Sequence, residues 1–123
     1  MSQVVIVRTG EAYDKAYVTM IREQVKEFTG QDLIVLGDRH QETTTHPLRN
    51  TWPGWWAKME LFAPWHKHLR PFFFIDLDTY ILDDIQEMVE FDPGEDLWML
   101  EDFNETGKGQ SAIMIIPKEV DHI

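Results

Sequence analysis

The segment Phe72–Ile75 most constrains the fold. Its four consecutive apolar residues, introduced by Pro71, are too few for a globular helix and indicate a buried strand. Two carboxylates, Asp76 and Asp78, follow at once. In an extended backbone, residues two apart point to the same side, so both side chains should face one spot. The sequence therefore predicts a strand that presents acidic side chains at its carboxyl end.

The carboxylates of Asp76 and Asp78 repel each other and therefore need a counter-charge. At about 7 Å and an effective dielectric constant of about 20, their repulsion is roughly 2–3 kcal/mol before any desolvation. No Lys or Arg lies nearby in the sequence, so the counter-charge is a distant basic residue or a divalent metal such as Mg²⁺ or Mn²⁺. Such a metal suits a phosphate-bearing substrate, whereas the simpler alternative is a solvated acidic turn.

Charge is distributed unevenly along the chain, whose net charge is −11. Residues 1–70 hold nine Lys or Arg and eight Asp or Glu, whereas residues 71–107 hold twelve acidic residues and no Lys or Arg. A phosphate backbone binds to a basic surface, so this acidic stretch argues against a nucleic-acid partner. Most of these carboxylates are expected to form a solvated surface that aids solubility.

Length and the lack of cysteine set further limits. The 123 residues fit one domain, residues 1–123, and 43% of them are hydrophobic, which is enough material for a core. Without cysteine, the chain has no disulfide, thiolate metal site or cysteine nucleophile. The sequence shows neither a signal peptide nor an apolar run of about 18 residues, so we expect a cytoplasmic chain without a transmembrane segment.

Apolar periodicity predicts a strand, a helix and a strand in the first third of the chain. Residues 3–9 and 32–36 contain apolar runs that indicate buried strands, and residues 13–28 repeat apolar side chains at three- and four-residue steps. Thr29 and Gly30 supply a helix end. This spacing predicts a βαβ unit, in which the strands are parallel.

The remainder of the chain continues the alternation of strands and other elements. We predict a polar loop over residues 39–52 and a short element around residues 80–82. Further strands are predicted over residues 97–100 and 111–116. The expected fold is α/β, with a mostly parallel sheet flanked by helices and a ligand site at the carboxyl ends of its strands.

A helix is predicted over residues 55–62. Its exposed face should carry Lys58 and Glu60. The side chains expected to reach the core are Trp56, Met59 and either Phe62 or Ala63. The indoles that are candidates for core packing or for stacking on a base or sugar are Trp52, Trp55 and Trp56.

An apolar strand followed by D-x-D is compatible with more than one family. A haloacid-dehalogenase-type phosphatase resembles the pattern, but that family has Thr or Val two residues after the second Asp, where this chain has Tyr80. The strand also usually opens the domain in that family, whereas two predicted strands precede it here. The phosphatase is therefore the less favoured interpretation.

A longer resemblance includes the predicted helix, the D-x-D strand and the last strand. The runs GWWAKMELF at 54–62, RPFFFIDLDT at 70–79 and DDI at 83–85 resemble, in content and order, the nucleotide-binding half of GT-A-fold glycosyltransferases. The run QSAIM at 110–114 resembles the N-S-G-V-M strand of that family. The resemblance covers about residues 4–117 and implies a Rossmann-like GT-A domain that uses a nucleotide sugar.

The resemblance also implies roles for particular residues. Asp78 would ligate Mn²⁺ or Mg²⁺ directly, and Asp76 would hold the metal or the ribose. Lys58 would lie near the ribose or the diphosphate. The residues implied to border the base pocket are Arg8, Thr9 and Gly10. The donor would be a UDP- or GDP-linked sugar, and the acceptor a hydroxyl of a carbohydrate or another molecule.

Glu101 and Asp102, which follow the strand predicted at 97–100, are the candidates for a general base beside the acceptor. Members of the family are considerably longer, and their remaining portion supplies much of the acceptor site. The chain is therefore interpreted as a metal-dependent glycosyltransferase, or as the nucleotide-sugar-binding portion of one truncated at the C-terminus. The alternative is a non-catalytic metal- and nucleotide-binding module.

Overall fold

The chain folds as an α/β domain in which a mixed sheet is flanked by helices. The computed structural model describes residues 1–50, 52, 54–102 and 104–123, with the backbone alone at Trp55. The strands are β1 (Gln3–Arg8), β2 (Ile34–Gly37), β3 (His46–Pro47), β4 (Phe72–Ile75), β5 (Trp98–Glu101) and β6 (Gly109–Ile116). The α-helices are α1 (Lys15–Thr29) and α2 (Gln86–Glu90), and 3₁₀ helices span Gly54–Phe62 and Pro64–Leu69. Among the described residues, no helix is long and apolar enough to cross a bilayer.

Strand directions make the sheet mixed rather than mostly parallel. Within the described residues it has six strands in the order β3-β2-β1-β4-β6-β5. The pairs β1–β2, β1–β4 and β2–β3 are parallel, whereas β6 is antiparallel to both β4 and β5. The expectation of a mostly parallel sheet is wrong at this end. The 102–108 connection between β5 and β6 is short, which makes these two strands an antiparallel hairpin. A parallel neighbour would need a crossover of about a dozen residues or more.

The predicted βαβ unit is confirmed by β1, α1 and β2. Helix α1 begins after Asp14, whose side chain accepts the backbone N–H of Ala16. It ends at Gly30, which adopts the left-handed conformation at φ 75° and donates its N–H to the carbonyl of Lys26. Buried side chains of α1 pack on one face of the sheet; they are Val18, Ile21 and Val25.

Alternation along β4 distributes its apolar residues between the two faces of the sheet. Phe73 and Ile75 join the cluster that includes α1, and Phe72 and Phe74 join the cluster on the opposite face, beside Leu61 of the first 3₁₀ helix. These phenylalanines are at most 1% exposed. Full burial of each ring is worth about 1.5–3 kcal/mol, so β4 is the centre of both halves of the core.

The segment Gly54–Phe62 is a 3₁₀ helix, and its buried face differs from the predicted one. Trp56 and Met59, expected in the core, are 52% and 46% exposed, whereas Glu60, expected in solvent, is 1% exposed. A 3₁₀ helix has three residues per turn, so the buried Ala57 lies directly below Glu60. The prediction is wrong for Trp56 and Met59, whereas Phe62 is partly buried against the core as expected. It treated Glu60 as a solvated charge, but hydrogen-bond partners within the protein satisfy this carboxylate and allow its burial.

Buried polar groups fix the 3₁₀ helices to the rest of the domain. The guanidinium of Arg70 is 5% exposed and donates to the carbonyls of Leu61, Ala63 and Lys118 at 2.8–3.1 Å. Burial lowers the pKa of Arg70 from its ordinary value, and the charge of Glu119 opposes that effect. Because guanidinium remains protonated at neutral pH, these carbonyls keep a permanent donor.

Other connections differ from the prediction in smaller ways. The predicted loop 39–52 contains β3, which pairs in parallel with β2 at the edge of the sheet. The segment 80–82 forms no regular element, and Leu82 is 88% exposed. Thr51 and Pro53, at the end of the predicted loop, lie outside the described residues, as does Phe103.

The β5 end of the sheet is irregular and exposed. All four residues of β5 are exposed, including the large side chains of Trp98, Met99 and Leu100. Met99 pairs with Met114 of β6, but Leu100 pairs with Gln110, so residues 111–113 form a bulge in β6. The bulge occurs beside the carboxyl end of β4, where Asp76 donates its N–H to the carbonyl of Ala112.

Candidate functional site

A cleft of about 320 Å³ opens at the carboxyl ends of β1 and β4. This is the edge at which parallel α/β sheets bind ligands, and the volume is at the lower end of the range for small-molecule sites. The described residues that line it are Val7, Arg8, Thr9, Ala12, Tyr13, Gly54, Lys58, Phe74, Asp76, Leu77 and Asp78. The cleft therefore brings together residues from β1, the first 3₁₀ helix and the D-x-D segment.

Asp76 and Asp78 both line this cleft, but they do so from a turn and not from an extended strand. β4 ends at Ile75, and the N–H of Thr79 donates to the carbonyl of Asp76 at 3.0 Å. Leu77 is buried in the cluster of the α1 face. Both residues line one cleft, while the extended backbone assumed for them is wrong.

Lys58 is the basic residue that neutralises Asp76. Its Nζ lies 2.8 Å from Oδ1 of Asp76 and donates to Oγ of Ser111 at 3.2 Å. The ammonium also lies 5.3 Å from the ring centroid of Phe74, a favourable cation–π distance. The Lys58 and Asp76 side chains are 20% and 29% exposed, so water screens this pair less than a surface pair. Of the two sources of counter-charge left open by the sequence, the distant basic residue is present.

Arg8 forms one wall of the cleft and is largely occupied by contacts within the protein. It is 6% exposed; Nη1 donates to Oγ1 of Thr43, and Nε and Nη2 donate to the carbonyl of Tyr13. A carboxylate oxygen of Glu11 lies 3.6 Å from Nη2. Arg8 therefore adds positive charge to the cleft while fixing the segment that follows β1.

Thr9 and Gly10 are held by Asp38, which sequence reasoning did not select. Asp38 follows β2 and accepts the Thr9 hydroxyl at 3.1 Å and the Gly10 N–H at 2.7 Å. Thr9 lines the cleft, whereas Gly10 turns away at φ 67° and accepts a hydrogen bond from Gln41. The rule that ligand-site residues follow the carboxyl ends of strands would have identified Asp38, because it comes directly after Gly37.

The sequence interpretation also did not identify Tyr13 and Ser111 as site residues. Tyr13 lines the cleft and is 40% exposed, with its ring 5.3 Å edge-to-face from that of Tyr17. Ser111 contacts Lys58 from the bulge of β6. Trp52 and Trp56 are not among the described residues that line the cleft, and the indole of Trp55 lies outside the description.

The candidate bases Glu101 and Asp102 lie at the same edge of the sheet but outside the cleft. Glu101 pairs with Gly109, four residues along β6 from Ile113, the partner of Ile75. Oδ1 of Asp102 accepts the N–H groups of Asn104 and Glu105 and so caps the 102–108 turn. Neither residue is among the described residues that line the cleft with Asp76 and Asp78.

The donor set for a divalent cation consists of the carboxylates of Asp76 and Asp78. Among the described residues, no group of three or more His, Asp or Glu side chains is arranged to hold a metal ion. Mg²⁺ commonly binds proteins through one or two carboxylates, with water and substrate phosphate oxygens completing the shell. The residues present therefore fit a hard cation that binds with a phosphate-bearing ligand, and they do not form a complete protein cage.

Comparison with known proteins adds no relative. No protein-family model, curated protein or solved structure matches this chain.

Proposed function

We propose that the cleft binds the diphosphate of a nucleotide sugar and that the domain is the donor-binding part of a metal-dependent glycosyltransferase with a Rossmann-like GT-A architecture. The observation that supports this most is the convergence of Asp76, Asp78, Lys58 and Arg8 on one cleft. These residues come from the D-x-D turn, the first 3₁₀ helix and β1. A cleft with both basic and acidic side chains suits an anionic ligand that binds together with a cation.

The charges of the cleft favour a diphosphate with a divalent cation. Arg8 and Lys58 balance Asp76 and Asp78, so the cleft by itself offers no net attraction for an anion. A divalent cation on the two carboxylates would give the cleft a double positive charge, which matches the double negative charge of a nucleotide-sugar diphosphate. Mn²⁺ or Mg²⁺ fits these oxygen donors.

Individual side chains of the cleft then have distinct tasks. The Lys58 ammonium is within the cleft and can bind diphosphate oxygens, and the exposed ring of Tyr13 offers a surface on which a base can stack. Arg8 and Asp38 hold the wall that positions this ring, through Tyr13 and through Thr9 and Gly10. When bound, the cation would neutralise the departing nucleoside diphosphate.

A second candidate, a non-catalytic nucleotide-binding module, is favoured by the position of the candidate bases. Asp102 caps its own turn, and Glu101 lies on the hairpin outside the cleft. A domain with a donor site and without a base near that site would bind a nucleotide sugar without transferring the sugar. Release of nucleoside diphosphate from UDP- or GDP-sugars distinguishes the enzyme from the module.

The test of the proposal is calorimetric titration of UDP and GDP into the protein with and without Mn²⁺. We expect one nucleotide to bind in a Mn²⁺-dependent manner, and Asp78→Asn to weaken that binding by roughly 100-fold, because it removes one of two charged oxygen ligands. The control is Asp92→Asn, which removes an exposed charge from the same acidic stretch outside the cleft. It should bind like the unchanged protein.

Several results would contradict the proposal. Equal nucleotide affinity in Asp78→Asn and Asp92→Asn would place the site elsewhere. Failure of the folded protein to bind UDP or GDP under any of these conditions would reject the donor site. Release of phosphate from a simple phosphoester would instead favour the phosphatase.

A further inference from the structure

The ion pair between Lys58 and Asp76 bears on how a cation reaches the D-x-D turn. Oδ1 of Asp76 is already 2.8 Å from an ammonium that is also held by Ser111 Oγ and lies over the Phe74 ring. The backbone of Asp76 is fixed by hydrogen bonds to Ala112 and Thr79. The Asp76 side chain is short and its backbone is held in the turn, whereas the Lys58 side chain is long and flexible, so the lysine is the partner that can move further.

A divalent cation that contacts both carboxylates would lie close to this ammonium. Like charges at such distances repel strongly when water is partly excluded, and the Lys58 and Asp76 side chains are both less than one-third exposed. A diphosphate removes the conflict because its oxygens can lie between the cation and the ammonium. The lysine side chain, with four flexible methylene groups, can then follow the phosphate.

We infer that Lys58 is the resting counter-ion of Asp76 and competes with the divalent cation, so that the cation and the diphosphate bind together and each binds weakly alone. This inference rests on the proposed function and adds to it a positioning residue that couples the two ligands. By linkage, the factor by which nucleotide tightens Mn²⁺ binding equals the factor by which Mn²⁺ tightens nucleotide binding. Lys58 sets part of that factor.

The experiment measures free Mn²⁺ by electron paramagnetic resonance during titration of the protein, first alone and then with saturating UDP or GDP. Lys58→Met should bind Mn²⁺ alone about tenfold more tightly than the unchanged protein, because Asp76 is released from its partner. The coupling between Mn²⁺ and nucleotide should fall by a similar factor. A blank titration without protein corrects for chelation of Mn²⁺ by the nucleotide.

Matched variants separate this role from a structural one. Lys58→Arg keeps the positive charge and should restore weak binding of Mn²⁺ alone. Lys67→Met removes a surface lysine that pairs with Glu119 at 3.1 Å and is not among the described residues that line the cleft, so it should leave both affinities unchanged. Circular dichroism and urea midpoints establish that each variant is folded.

The outcomes distinguish this inference from the proposed function. If nucleotide binding depends on Mn²⁺ but Lys58→Met has an unchanged or weaker affinity for Mn²⁺ alone, the competition is rejected while the proposed donor site stands. If Mn²⁺ binds to no variant, with or without nucleotide, both the inference and the metal-dependent proposal fail. A Lys58→Arg variant that behaves like Lys58→Met would also overturn the inference, because charge would not be the cause.

Discussion

Replacing Glu60 with leucine is expected to lower the free energy of unfolding by about 3–5 kcal/mol, because it removes one member of a buried, hydrogen-bonded pair. The Glu60 side chain is 1% exposed. One carboxylate oxygen accepts the N–H groups of Arg49 and Asn50 at 2.8 and 2.7 Å, and the other lies 2.9 Å from Nε2 of His66. Leucine fills similar space but leaves these partners without their acceptor.

Urea denaturation followed by tryptophan fluorescence measures this effect. Glu60→Gln keeps an acceptor oxygen for the backbone N–H groups and should cost less, about 1–2 kcal/mol. Glu119→Gln removes the exposed partner of Lys67 and should change stability by less than about 0.5 kcal/mol. Similar unfolding free energies for Glu60→Leu and Glu119→Gln would show that the Glu60 carboxylate does not stabilise the contact between residues 49–50 and the first 3₁₀ helix.

Replacing Phe74 with alanine is expected to cost about 3–5 kcal/mol of stability, because it leaves a cavity in the centre of the sheet. Phe74 is 1% exposed and belongs to the same core cluster as Val5 and Leu61. β4 is paired on both sides, with β1 and β6, so the backbone cannot collapse into the space. Chemical denaturation gives the loss directly, and a value below about 1 kcal/mol would contradict the described packing.

A milder pair of variants tests whether Phe74 also supports the cleft. Phe73→Leu and Phe74→Leu should each cost about 1 kcal/mol, since both rings are buried in the same strand. The ring of Phe74, unlike that of Phe73, lines the cleft and lies under the Lys58 ammonium. Phe74→Leu should therefore weaken nucleotide binding severalfold in calorimetry, and Phe73→Leu should leave it unchanged. Equal nucleotide affinities of the two variants would show that the Phe74 ring has no part in binding.

The sequence was sufficient to place the D-x-D segment at the edge of the sheet. The apolar run Phe72–Ile75 has one regular structure available at its length, and the turn after it must expose its polar residues. The βαβ unit was predictable for a similar reason, because α1 has strong 3.6-residue periodicity and a glycine at its end. These elements are specified by local pattern, which a single sequence contains.

Long-range contacts could not be predicted from local sequence pattern. The pairing of Lys58 with Asp76 depends on a 3₁₀ helix, whose three-residue period turns Lys58 towards the cleft and Glu60 into the core. The apolar side chains of this segment match neither the 3.6-residue period of an α-helix nor the three-residue period of a 3₁₀ helix well. The pattern therefore does not distinguish the two kinds of helix. The antiparallel pairing of β5 with β6 could have been predicted from the short 102–108 connection, which favours a hairpin.

The exposed β5 strand has a consequence for handling the protein in solution. An edge strand offers unpaired backbone groups, and here Trp98, Met99 and Leu100 add exposed apolar surface to it. Residues 71–107, which include β5, carry twelve acidic residues and no Lys or Arg, so two copies approaching through β5 repel each other. Purification at neutral pH and modest ionic strength preserves that repulsion, whereas acidification or concentrated salt removes the barrier to edge-to-edge aggregation.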